Sequence, residues 1–129
     1  MDPIADLLVR IKSALNARQD TVDIPYSKNK EKIVRIFSGE GYIGPCEVLS
    51  RMGRNYLRLG LKYTKDKKAV IAGMKRVSKP GRRIYVGASS LPRVQSGFGT
   101  AVISTSKGLM TYEEAREKKI GGEVICYIW

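Results

Sequence analysis

Gly99-Thr100-Ala101-Val102-Ile103-Ser104-Thr105-Ser106-Lys107-Gly108, continued by Leu109-Met110-Thr111-Tyr112-Glu113-Glu114, is the stretch on which the fold of the second half turns. Residues 100–105 are β-branched or small and uncharged, the composition of a strand packed on at least one face. Gly108 permits a positive φ, so Ser104, Thr105 and Ser106 are expected on a tight connection with Lys107. Thr111 and Glu114, three apart, form a capping box for a short helix reaching Lys119. Gly121-Gly122 then turns the chain into a last strand over residues 123–129. Upstream, residues 69–77 and 82–88 read as a β-hairpin around Pro80 and Gly81, whose order favours a type II turn. Residues 89–99, with Pro92, Gly97 and Gly99, read as a loop. The second half is therefore mainly β with one short helix.

The first half has a different rhythm. Asp2 is an N-cap with Pro3 at the first helical position, and Ile4, Leu7, Leu8, Ile11, Ala14 and Leu15 recur at helical spacing. Residues 21–25 form a short strand. Ser27 caps a second helix whose stripe of Ile33, Val34 and Phe37 ends near Gly39 and Gly41. Lys28, Lys30, Lys32 and Arg35 lie on that helix, as its solvated face or, less readily, as ligand contacts. Residues 42–49 and 55–63 read as strands, giving α-β-α-β-β. The polar run Thr64-Lys65-Asp66-Lys67-Lys68 serves as a linker. The expectation is an α+β protein of two small domains, 1–64 and 65–129.

Charge is unevenly spread. The 129 residues carry 24 Lys or Arg and 12 Asp or Glu, a formal net charge of +12. Up to Thr64 there are 11 basic and 7 acidic residues, a balance of +4; beyond it there are 13 and 5, a balance of +8. From Lys67 to Tyr112 there are nine basic residues and no acid. A surface so one-sided expects a polyanion. Histidine is absent, which excludes zinc sites built on it, Ser-His-Asp triads and Cys-His pairs. Gly97 and Gly99 lack the third glycine of a dinucleotide fingerprint, and no phosphate-binding GxxxxGK motif occurs. No cofactor, no metal and no enzymatic activity are expected. Cys46 and Cys126 read as reduced, partly buried thiols. With neither a signal peptide nor an apolar run of membrane-spanning length, the expected location is the cytoplasm, with no membrane partner.

Two constellations could meet nucleic acid. Lys75, Arg76, Lys79, Arg82 and Arg83 crowd the Pro80-Gly81 turn, where a hairpin tip would project them as a compact cationic head toward phosphate; solubility and edge protection are the competing explanation. The hydroxyls of Ser104, Thr105 and Ser106, with Lys107 and Gly108, could reach base edges and sugars, or could close their own turn. Tyr85 is a candidate for stacking on an unpaired base. Glu123 could orient a lysine or accept from a base amino group, or be a solvated strand start.

Several blocks together carry a family likeness. They are Asp2-Pro3-Ile4-Ala5-Asp6-Leu7-Leu8, Lys75-Arg76-Val77-Ser78-Lys79-Pro80-Gly81, Leu91-Pro92-Arg93-Val94, residues 99–108, Glu114-Ala115-Arg116 and Gly121-Gly122-Glu123. In this order, over nearly the whole chain, they resemble bacterial small-subunit ribosomal protein number eight. The resemblance implies two α/β domains and direct binding to a stem with an irregular internal loop in the central domain of small-subunit ribosomal RNA. It implies that Ser104, Thr105, Ser106 and Lys107 contact that RNA core, with Gly108 shaping the loop and Tyr85 and Glu123 on the same face. Neighbouring small-subunit proteins, a monomeric state off the ribosome and repression of the chain's own messenger RNA complete the expectations. An enzyme acting on RNA and a sequence-independent nucleic-acid packager are the competing classes. Residues 50–54 make a compact basic connection where relatives vary, so no RNA contact is carried over there.

Overall fold

A computed structural model describes Asp2–Trp129. The described chain forms two compact units, Pro3–Ile71, and Ala72–Trp129 together with Asp2. Both mix helix with antiparallel sheet, the expected α+β class.

In the first unit, helix α1 (Pro3–Asn16) starts with proline at its first position and buries Leu7, Leu8, Ile11 and Ala14. Strand β1 (Thr21–Pro25) follows. Helix α2 (Lys28–Gly39) is capped by Ser27, whose hydroxyl accepts from Lys30 N at 3.1 Å. It ends in a Schellman motif, with Gly41 N donating to Ser38 O and Tyr42 N to Phe37 O. Its apolar stripe buries Ile33, Val34 and Phe37, as expected. Lys30 lies on that buried side and departs from the solvated-face reading, while Arg35 is tied to Glu31 at 3.0 Å. Strands β2 (Cys46–Arg51) and β3 (Arg54–Gly60) complete a sheet of order β1-β3-β2. The second strand begins at Cys46 and not at residue 42. Gly44 N instead donates to Gly60 O, and Gly60 N to Pro45 O, both at 2.8 Å. Residues 62–70 turn back on this unit: Val70 N donates to Lys62 O, Thr64 N to Lys68 O, and Tyr63 Oη to Gln19 O.

The second unit holds β4 (Met74–Arg76), β5 (Tyr85–Val86), β6 (Thr100–Thr105), β7 (Gly108–Thr111), α3 (Tyr112–Glu117) and β8 (Gly122–Ile128). Its strands run in the order β4-β8-β6-β7, with β5 also paired to β8. Val94, Ala101, Ile103, Met110, Ala115 and Val124 form its core. The capping box at Thr111 is present, with the hydroxyl accepting from Glu114 N at 3.2 Å and the Glu114 carboxylate accepting from Thr111 N at 3.4 Å. Both cysteines are free, and burial pushes the Cys126 thiol up to about 12.

The edge of the second sheet is built differently from the sequence expectation. Residues 69–77 and 82–88 do not pair with one another as a hairpin. Both β4 and β5 run antiparallel to β8, against Arg76↔Cys126 and Tyr85↔Glu123, so they are successive pieces of one edge strand. Between them, Ser78 N donates to Val124 O and Val124 N donates to Ile84 O, so the chain leaves and rejoins β8 at the same residue. Ser78 staples the excursion. Its buried hydroxyl accepts from Ile84 N at 2.9 Å and donates to Ile84 O at 3.3 Å. The turn at its tip is closed by reciprocal bonds between Lys79 and Arg82, and it is not type II, because the φ of Gly81 lies outside the left-handed region. Leu109 belongs to a strand, so that residues 104–108 are the end of a β6–β7 hairpin and not a strand-to-helix connection.

Candidate nucleic-acid interface

Strand register brings three of the expected site residues into one line. Tyr85 lies opposite Glu123, and Glu123 lies opposite Ser104, across β5, β8 and β6. Directly opposed residues share a face, so an aromatic ring, a carboxylate and a hydroxyl are presented side by side. Tyr85 is 70% exposed, far more than a tyrosine held in place by packing. Val86, Ile103 and Val124 flank this row in sequence and point to the opposite face, where they join or border the core. Alternation in three adjacent strands thus fixes the row.

Gly121 and Gly122 make this close assembly possible. A Cβ on Gly122 would stand 2.1 Å from Ser104 O, and one on Gly121 would stand 2.3 Å from Val86 O. The start of β8 is therefore wedged between β5 and the end of β6 at a separation only hydrogen atoms permit. The sequence signalled a turn here; the tight approach was not legible from it.

Beyond Ser104 the β6–β7 hairpin closes. Neither Ser106 nor Lys107 has a positive φ, whereas Gly108 takes φ 107°, the pattern of a type I turn completed by glycine. The hydroxyls divide between the two alternatives raised by the sequence. Thr105 Oγ1 donates to Gly108 O at 2.8 Å and accepts from Lys107 N at 3.1 Å, so it serves the turn. The Ser104 and Ser106 hydroxyls make no bond within the described chain, and no buried side-chain polar atom is left unsatisfied. Ser106, Lys107 and Gly108 are exposed.

The expected cationic head is smaller than five residues. Arg76 turns inward, donating to Ile125 O at 2.6 Å and pairing with Asp2 at 3.1 Å. Arg83 pairs with Glu123 at 3.2 Å. Glu123 thus holds an arginine, where the sequence left a lysine partner, a base contact or a solvated strand start open. The Arg83 side chain is about half exposed while that of Glu123 is largely buried, so the pair anchors Arg83 beside the row and leaves part of its guanidinium open to solvent. Lys79 and Arg82 remain exposed at the tip of the excursion, without an acidic partner among the described residues. The edge strand carries them because Ile84, which rejoins the sheet, immediately precedes Tyr85. No group of His, Cys, Asp or Glu side chains suited to a metal ion occurs among the described residues.

A family model described as Ribosomal protein S8 matches residues 2–129. The chain is 57% identical over 128 residues to a protein of Dictyoglomus turgidum, covering 99% of this chain and 97% of that one. It is 56% identical over 128 residues to one of Dictyoglomus thermophilum, with the same coverage. It is 51% identical over 129 residues to one of Caldicellulosiruptor bescii, covering 100% and 98%. Each of these relatives bears the name small ribosomal subunit protein uS8.

Proposed function

Because the chain belongs to the ribosomal protein S8 family, and is thereby a constituent of the small ribosomal subunit and not an enzyme, we propose that it binds a stem with an irregular internal loop in the central domain of small-subunit ribosomal RNA. In this reading it locks one RNA conformation and seeds assembly of that region. The observation that supports the reading is the row Tyr85–Glu123–Ser104 continued by the Ser106 hydroxyl, because it offers stacking and donation at once, and acceptance when Arg83 turns away from Glu123. Regular A-form duplex hides its base edges in a deep, narrow groove, whereas an irregular loop splays bases toward such groups. Lys79, Arg82 and Lys107, joined by Arg83 when its pair with Glu123 opens, supply phosphate contacts that position the RNA without reading it. Thr105 and Gly108 hold the turn. An RNA that mimics the stem would bind the same face, which is how repression of the chain's own messenger would arise.

The test compares the irregular stem with a perfect duplex of equal length in equilibrium binding at several salt concentrations. The stem should bind more tightly at every salt, and footprints on intact small-subunit ribosomal RNA should fall on that stem. Equal affinity for both would favour the packager, for which phosphate charge alone suffices.

A further inference from the structure

The tip of the β2–β3 hairpin combines three features that its own folding disfavours. Met52 and Gly53 form a two-residue loop with φ of 53° and 77°, the type I′ geometry most readily filled by Asn-Gly. Met52 therefore holds a left-handed conformation against its Cβ while 96% exposed. Arg51 and Arg54 flank it as a directly opposed pair, and like charges so placed repel. Neither forms an ion pair among the described residues.

The neighbouring arginine shows the contrast. Arg58 makes two bonds to the Asp23 carboxylate, at 2.9 and 3.1 Å. Both arginines lie over the Tyr56 ring, 5.3 Å from its centroid for Arg51 and 5.7 Å for Arg58, but Arg51 has no hydrogen-bonded carboxylate among the described residues and keeps its N–H groups for an outside acceptor. Strained turn, exposed thioether and two arginines without an ion-paired partner among the described residues coincide in four residues, the nearest acid being Asp23, which is already bonded to Arg58. A partner with closely spaced anions and an apolar surface between them removes the charge and exposure costs together.

Resting on the reading of the chain as an RNA binder, we infer that this tip is a second RNA contact, on the first folded unit. Arg51 and Arg54 take phosphates, and Met52 packs on an exposed base or sugar. An acidic protein surface is the less suitable partner, because it ordinarily brings cations and neutral polar groups with its acids, and residues 51–54 offer no acceptor side chain for them.

The test uses the full chain and intact small-subunit ribosomal RNA. The double variant Arg51→Gln/Arg54→Gln should bind about ten-fold more weakly near physiological salt and flatten the slope of log K against log salt by up to about two units. Its melting temperature should hold or rise, since the repulsion is gone. Arg51→Lys/Arg54→Lys should recover most of the slope. A folded Gln variant with wild-type affinity and slope overturns the inference. So does a variant that keeps its RNA binding but is lost from reconstituted particles, which would assign the tip to a protein neighbour. Ser104→Ala/Ser106→Ala run in parallel judges the other site separately, and a wild-type chain that bound no ribosomal RNA would end both readings.

Discussion

Two hairpins of the molecule end in loops of the same length and opposite chemistry. The β6–β7 turn reaches its shape without strain, because Gly108 alone takes the positive φ and Thr105 bonds both Lys107 N and Gly108 O. The β2–β3 turn places a methionine in the left-handed region and opposes two arginines. One tip is pre-organised, with hydroxyls to spare; the other is tense and charged. The difference teaches how a small basic protein can divide labour. Fine discrimination needs a rigid frame, since a misplaced hydroxyl discriminates nothing, whereas charge acts through space and tolerates a looser mount.

The comparison breaks most severely if the rigid frame is not needed. Gly122→Ala forces a Cβ to within 2.1 Å of Ser104 O, and overpacking of this kind should cost about 3 kcal/mol in urea unfolding. Unchanged stability and unchanged selectivity for the irregular stem would show that the frame is softer than the geometry implies. Next in size, Ser104→Ala or Ser106→Ala should lower cognate RNA affinity by roughly 1–3 kcal/mol with stability intact. Thr105→Ala should do the reverse, costing about 1 kcal/mol of folding through lost turn bonds. Equal behaviour of the three hydroxyls would erase the distinction drawn between them.

Charge should behave otherwise. Lys79→Ala or Arg82→Ala should weaken cognate and non-cognate RNA alike and flatten the salt slope by up to about one unit each, measured by titration at graded salt. Smaller again, Met52→Asn gives the type I′ turn a residue it prefers and should raise stability by several tenths of a kcal/mol in thermal unfolding. The smallest effect lies beside that tip. A hydrogen bond from Arg58 holds the Asp23 carboxyl below its ordinary range. Its folded pKa being depressed, the pair stabilises the fold at neutral pH and above the unfolded carboxylate pKa of about 3.9. That contribution is lost as pH falls through the lower folded value. The stability difference between wild type and Asp23→Asn should therefore vanish in acid and not in base.

Helix boundaries and caps were legible because each is a local bargain: Ser27 with Lys30 N, Thr111 with Glu114, and Pro3 at the first turn need only neighbours in sequence. The hydroxyl segment was equally visible, and its place at a turn followed from Gly108. What escaped depended on partners far along the chain. Residues 69–88 contain a Pro-Gly pair between two apolar runs and so resemble a hairpin, yet β8 offers both runs a better ladder, and Ser78 supplies bonds that stabilise the detour. Leu109 was missed as a strand residue because a four-residue strand beginning with glycine has little pattern of its own. The row linking Tyr85, Glu123 and Ser104 is a matter of register across three strands, and register is decided by the whole sheet.

The interrupted edge strand has a bearing on the life of the chain before it meets RNA. A sheet margin with a run of open amides and carbonyls is a template on which a second chain can add. Here the margin is cut into pieces of three and two residues by a detour holding Pro80, which has no amide hydrogen, and the charged Lys79 and Arg82. No continuous strip survives for a stranger to pair with. The detour that exposes Lys79 and Arg82 thus also protects this margin of the second sheet against edge-to-edge pairing.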